Sequence, residues 1–219
     1  SCLVGSEMCI RDRAWSKFQS EHIPTALYCD PSVQLAGMPG RAVGRNPLPS
    51  IDVVQKAAAG WGIEDGRPVF IYDGGNGLFA ARAWWILRWA GVTDVHILDG
   101  GFATWDGEGF PTVAGPGGIV VPRDVKLTEG SLPSATMEDV RAFEGLLIDA
   151  RGARRFQGLR EILDLRAGHI PGARNLPVND LFDPETHKVK GTDEIRDRFS
   201  ELGVTQNTDP ASVITYSLS

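Results

Sequence analysis

The stretch VFIYDGGNGLFAARAWWILRW, Val69 to Trp89, reads as a strand, a glycine loop and a helix N-terminus. Val69 to Tyr72 are apolar or aromatic and predict a buried strand, Asp73 to Gly77 can turn sharply because glycine tolerates positive φ, and helical spacing begins at Leu78. Such a junction aims successive backbone N–H groups and the positive end of a helix dipole into the loop, which favours an anion or an ionised nucleophile there. The residue in that bowl is Asp73. A carboxylate fills such a cradle well but carries a transferred group poorly at neutral pH, and a strand-end Asp capping the next helix is an equally good reading.

Around this core the pattern alternates. Ser50 to Gly62 predicts a helix, Val92 to Leu98 a strand, and Asp99-Gly100-Gly101-Phe102 the start of a short helix through Trp105. In the helix from Leu78, one apolar stripe is Leu78, Ala81, Trp85 and Trp89, another is Phe79, Ala83 and Ile86, and only two arginines interrupt them, so most of its surface should be buried. A short strand is expected around Leu27 to Cys29 and an irregular surface loop over Pro31 to Pro49. Strands and helices alternating at this spacing imply α/β architecture with mainly parallel sheets flanked by helices. The Gly- and Pro-rich segment 113–132 reads as a linker, after which the pattern resumes: a helix over Thr136 to Phe143, a strand at Leu146 to Ile148, a helix over Asp193 to Leu202, and a final strand ending at Tyr216.

The two halves share landmarks. His22-Ile23-Pro24 matches His169-Ile170-Pro171, the helix-stopping Gly62 matches Gly203, and Tyr72 matches Tyr216, in the same order and at nearly constant separation. That is the signature of a duplication. The domains expected are therefore 14–112 and 133–219, with 1–13 set aside because it lacks periodicity and reads as translated adapter sequence.

Composition narrows the function. A chain of 219 residues with 42% hydrophobic content can fill two small cores. A formal net charge of -6 and the absence of a Lys/Arg-rich block argue against a nucleic-acid partner. Three cysteines, Cys2, Cys9 and Cys29, form neither a metal pattern nor paired spacing, which suits a reducing, cytoplasmic compartment. No apolar run is long enough to span a bilayer.

The residues Gly168-His169-Ile170-Pro171-Gly172-Ala173 with Asn175-Leu176-Pro177, their counterpart Glu21 to Ala26, Ile148-Asp149-Ala150-Arg151 with Arg155-Phe156-Gly158, and Leu98-Asp99-Gly100-Gly101-Phe102 with Trp105 resemble the rhodanese family in its tandem form. The resemblance implies two rhodanese-like domains and a thiosulfate or 3-mercaptopyruvate sulfurtransferase. Such an enzyme holds a sulfane sulfur as a cysteine persulfide and passes it to a thiophilic acceptor such as cyanide. It also implies no cofactor and no metal, a small anionic donor as partner, and a monomer.

In the family the nucleophilic cysteine of the second domain directly follows the strand that here ends at Tyr216, while the first domain is usually inert and often carries Asp in its place. Asp73 fits the inert copy. The position of the nucleophile is Ser217, which lacks an ionisable sulfur, so this chain is expected to be inactive. By the same resemblance Arg155 binds the donor, or else shares a solvated face with Arg160 and Arg166, and Asp149 and His169 order the site, His169 chiefly as a loop tie. Matching the copies implies that both domains are incomplete, the first at its start and the second at its end, as in a fragment of a longer parent. Two other readings use the same cradle: a non-enzymatic binding or regulatory module with Asp73 and Ser217 as disabled cradles, and a phosphatase or arsenate-reductase-like enzyme.

Overall fold

A computed structural model of the chain describes residues 13–40, 43–161 and 166–217. The set-aside head, with Cys2 and Cys9, lies outside the described residues apart from residue 13. The chain divides into two compact units, 1–133 and 134–219.

In the first unit, α1 (residues 13–20) precedes the His22 turn, and α2 (Pro31–Gln34), α3 (Ile51–Gly60), β1 (Val69–Ile71), α4 (Leu78–Trp89), β2 (Val95–Ile97) and α5 (Gly101–Gly107) follow. The strands β1 and β2 pair in parallel, Val69 opposite Val95 and Ile71 opposite Ile97. Leu35, Val54, Ala58, Ile86, Leu87, Trp89 and Val95 make the core between α3, α4 and the sheet.

The expected strand at Leu27 to Cys29 is not formed: these residues pair with no strand among those described and lead into α2. The expected loop from Pro31 opens instead with the one-turn helix α2. Asp30 caps it, its Oδ1 accepting from the Ser32 N–H at 3.0 Å, and Pro31 stands in the first turn where its missing N–H costs nothing. Leu35, just beyond, is 1% exposed and pins the segment to the core.

β1 is also less buried than its composition suggests, with Phe70 72% exposed. In α4 the covered residues are Ala80, Ala83, Ile86, Leu87 and Trp89, while Leu78 and Phe79 face outward. The helix is thus covered on one side rather than buried all round.

Residues 113–132, expected as a linker, lie along the first unit. Val113 and His22 exchange backbone hydrogen bonds at 2.9 Å, the Gly118 N–H donates to the Ala26 carbonyl at 2.8 Å, the Arg123 N–H to the Ala59 carbonyl at 3.1 Å, and Val125 is buried in the core. Glycine is needed there for close approach rather than for flexibility: a Cβ on Gly118 would lie 2.5 Å from the Thr25 carbonyl oxygen.

The second unit holds α6 (Met137–Ala142), β3 (Leu146–Asp149), α7 (Ala153–Phe156), β4 (Arg174–Asn175), α8 (Thr192–Glu201) and β5 (Val213–Tyr216), with single 3-10 turns at Val178–Leu181 and Pro210–Ser212. Thr136 starts α6 through a capping box with Asp139. The sheet order is β4-β3-β5, all parallel, with Leu146 opposite Val213 and Asp149 opposite Tyr216. The α/β class with parallel sheets read from the sequence is the observed one.

Arg82, on α4, holds the α2–α3 connection by donating from Nε to the Leu35 carbonyl at 2.9 Å and from Nη2 to the Asn46 carbonyl at 3.2 Å. Arg82→Ala leaves these part-buried carbonyls without that donor and should lower the stability of the first unit by about 2 kcal/mol. Urea unfolding followed by tryptophan fluorescence reads this unit alone, because all 6 tryptophans fall within it.

Candidate functional site

In the first unit the loop after β1 closes around Asp73. Its Oδ1 accepts from the N–H groups of Gly75 and Gly77 at 3.0 and 3.1 Å, and its Oδ2 from those of Phe79 and Ala80, both at 3.1 Å. Phe79 and Ala80 supply N–H groups of the first turn of α4, which have no partner within the helix. The side chain therefore occupies the position an external anion would take. From below, the Phe102 N–H donates to the Asp73 carbonyl at 2.9 Å, and a Cβ on Gly101 would come 2.5 Å from that oxygen. The Asp-Gly-Gly-Phe turn thus seats the end of β2 under the cradle.

The duplicated landmarks build the same junction twice. The Tyr72 hydroxyl accepts from the Ile23 N–H at 3.2 Å, and the Tyr216 hydroxyl from the Ile170 N–H at 3.1 Å. His22 Nδ1 donates to the Phe18 carbonyl at 2.8 Å, its ring stacked on Phe18 at 4.2 Å; His169 Nδ1 donates to the Phe156 carbonyl at 2.7 Å, its ring stacked on Phe156 at 3.7 Å. Phe18 lies 4 residues before its histidine and Phe156 13, so the contact has outlasted a change in the length of the intervening loop.

In the second unit Asp149 is 0% exposed and Arg151 8%. Arg151 Nε reaches both carboxylate oxygens at 3.0 Å, its Nη2 reaches Oδ2 at 2.6 Å and the Gly168 carbonyl at 2.6 Å, and the Arg151 N–H donates to Oδ1 at 2.9 Å. Burial works against the Asp149 charge, but the Arg151 side chain and backbone N–H, the Tyr216 hydroxyl and the Arg151 charge outweigh it and hold the carboxyl below its usual range. Burial, joined by Asp149, pushes the Tyr216 phenol up against the lowering effect of the Ile170 N–H, so the hydroxyl stays protonated. The Arg151 guanidinium carbon lies 5.9 Å from the centre of the Tyr216 ring.

Of the residues singled out in the sequence, Asp149 and the loop of His169 therefore meet at Tyr216, the residue before Ser217. His169 ties this loop to α7, which carries Arg155. Arg155 itself is engaged by Glu161, with Nη2 at 3.0 and 3.1 Å from the two carboxylate oxygens. Ser217 is exposed and follows β5 directly. The sequence assigned no role to Arg151 or Glu161. The Asp-Ala-Arg spacing was the available signal for Arg151, since residues two apart at a strand end can fold back on one another, whereas Glu161 gave none. Cys29 is the free cysteine among the described residues; burial, with the Asp30 charge next, pushes its thiol up to about 12, which disfavours the reactive thiolate. No cluster of His, Cys, Asp or Glu suited to a metal occurs among the described residues.

Two parallel α/β units that repeat the tie between a strand-end tyrosine and a His-Ile-Pro turn, with a carboxylate-filled anion cradle in the first, define a duplicated α/β protein. The Rhodanese-like domain matches residues 10–108. The chain is 36% identical over 193 residues to a probable 3-mercaptopyruvate sulfurtransferase of Pseudomonas aeruginosa, covering 84% of this chain and 66% of that protein. It is 37% identical over 166 residues to a putative thiosulfate sulfurtransferase of Mycobacterium tuberculosis, covering 74% of this chain and 58% of that protein. The crystal structure of the 3-mercaptopyruvate sulfotransferase SseA from Escherichia coli superposes with a TM-score of 0.77 at 30% identity, covering 91% of this chain and 73% of that one. The chain belongs to the rhodanese family. It spans between about half and two thirds of the length of the first curated relatives it matches.

Asp73→Ala removes the acceptor for four N–H groups and should lower the stability of the first unit by about 2 to 3 kcal/mol, with Asp73→Asn retaining part of it. Denaturant titration of the three proteins checks this.

A second expectation concerns acid. Because the folded Asp149 carboxyl is held below its unfolded value, its contribution is present at neutral pH and is lost as pH falls below about 4. Amide exchange in β3 should show this loss, while Asp149→Asn should be less stable at neutral pH and flatter toward acid.

Proposed function

We propose that this chain carries the frame of a sulfurtransferase, whose parent form takes a sulfane sulfur from thiosulfate or 3-mercaptopyruvate, holds it as a persulfide on a cysteine at the position that Ser217 occupies here, and passes it to a thiophilic acceptor. The observation that supports this reading is the repeated tie between a strand-end tyrosine and the His-Ile-Pro turn, with Asp73 following the one tyrosine and Ser217 the other. Family membership supplies the chemistry. A cradle of N–H groups suits a thiolate, which is the reactive form of cysteine.

In this reading Arg155 binds the anionic donor, Asp149 and Arg151 fix the Tyr216 end of β5, and His169 holds α7 against the turn. Asp73 keeps the first cradle filled and inert. Ser217 stands at the position of the nucleophile, and a serine hydroxyl is neither readily ionised nor able to form a persulfide. The net charge of -6 disfavours nucleic acid, and no helix among the described residues is long and apolar enough to cross a membrane. A cytoplasmic monomer acting on small molecules, without cofactor or metal, completes the proposal. Asp73 in one cradle and Ser217 at the other position favour one alternative, a non-enzymatic module on the same fold.

The chain as given should show no thiosulfate:cyanide sulfurtransferase turnover. The parent protein carrying cysteine after Tyr216 should turn over, and mass spectrometry should find that cysteine one sulfur atom heavier after exposure to donor. Turnover by the Ser217 chain, its sequence verified, refutes the proposal, and a parent with a genuine serine there supports the silent module.

A further inference from the structure

Directly after α7 the chain doubles back. The Gly158 N–H donates to the Arg155 carbonyl at 3.0 Å, and the Leu159 and Arg160 N–H groups donate to the Arg154 carbonyl at 2.9 and 3.2 Å. This turn lays Glu161 against Arg155. Besides the two Nη2 contacts, Nε lies 3.3 Å from Oε2, so the carboxylate grips one edge of the guanidinium with both oxygens. The Glu161 side chain is 5% exposed and that of Arg155 22%.

Glu161 is thus a resident anion beside the cation assigned to the donor. An unpaired arginine attracts any anion at long range, whereas a paired one presents little net charge and keeps only the directed pull of its N–H groups. The repulsion that the carboxylate exerts on an incoming ligand grows in proportion to the ligand's charge. Thiosulfate is a dianion at neutral pH and 3-mercaptopyruvate a monocarboxylate, so Glu161 opposes the first about twice as strongly as the second.

We propose that Glu161 is a specificity-determining residue, tilting the Arg155 site toward singly charged mercapto-carboxylate donors and against thiosulfate. This rests on the reading of Arg155 as the donor-binding residue. Glu161 acts through charge and through the orientation of Arg155, not on the sulfur itself.

The test is calorimetric titration of the full chain with sodium thiosulfate and with sodium pyruvate, which keeps the donor's carboxylate and lacks its thiol, at ionic strength fixed with chloride. Glu161→Gln should tighten thiosulfate binding about tenfold and pyruvate binding only about threefold. Equal changes for both ligands, or none, while Arg155→Ala abolishes binding, overturn the proposal and leave the donor reading of Arg155 standing. Unchanged binding by Arg155→Ala, or no binding by any of the proteins, overturns that reading and the proposal with it. Far-UV circular dichroism checks each fold, and Glu161→Ala replaces Glu161→Gln if the amide variant does not melt cooperatively. If neither folds, the wild-type chain decides: thiosulfate bound no more tightly than pyruvate supports the proposal, and thiosulfate bound about tenfold more tightly overturns it.

Discussion

One hydrogen bond per unit holds the site together, that from the isoleucine N–H of the His-Ile-Pro turn to the hydroxyl of the strand-end tyrosine. It joins residues 49 apart in the first unit and 46 apart in the second, so it can form only after the strand has paired and the turn has docked. The N–H it satisfies is part-buried and would otherwise be left without a partner at a cost of about 1 to 3 kcal/mol. Proline after the isoleucine fixes the turn, and the histidine before it is locked by ring stacking and by its bond to a carbonyl. The next residue along the strand, Asp73 or Ser217, consequently leaves the sheet from a set point.

Around this common tie the charges are arranged differently. In the first unit one carboxylate meets four backbone N–H groups of the loop and the first turn of α4. In the second, Asp149 is enclosed with Arg151 beneath Tyr216. A buried ion pair gains little net stability over apolar packing, because desolvation offsets the attraction, but it is costly to break on one side. Its value lies in geometry: Arg151 reaches the Gly168 carbonyl while Asp149 engages Tyr216, so two loops and β5 are held to one another by one pair of side chains.

What the sequence disclosed follows from the range of the forces involved. The strand, glycine loop and helix at Val69 to Trp89 were legible because turn chemistry and apolar period are local, and the duplication because His-Ile-Pro and tyrosine recur in order. The capped turn at Asp30-Pro31 was also local, but the many glycines and prolines downstream masked it. The contacts of segment 113–132 were hidden for a different reason. Its glycines look like flexibility in one dimension, yet they serve contacts with Thr25 and Ala26 that only the folded chain brings close. The outward-facing Phe70 and Phe79 show the limit of period counting, since hydrophobicity alone does not say which face of an element is covered. At the site, Asp73, Asp149, His169 and Arg155 were visible as residue types, but the Arg155 and Glu161 pair was not, because it depends on a turn that no local signal announced.

That pairing changes how the second unit meets an anion. Arg151 is spent on Asp149, and Arg155 is faced by Glu161, so neither arginine presents a bare charge. On the proposed reading an incoming anion therefore gains little from long-range attraction and is recognised by directed N–H donors, which discriminate by shape and by the number of charges to be accommodated. A cradle of backbone N–H groups accepts a carboxylate, as Asp73 demonstrates. On the proposed reading, selectivity then falls to side chains such as Glu161, whose carboxylate faces Arg155.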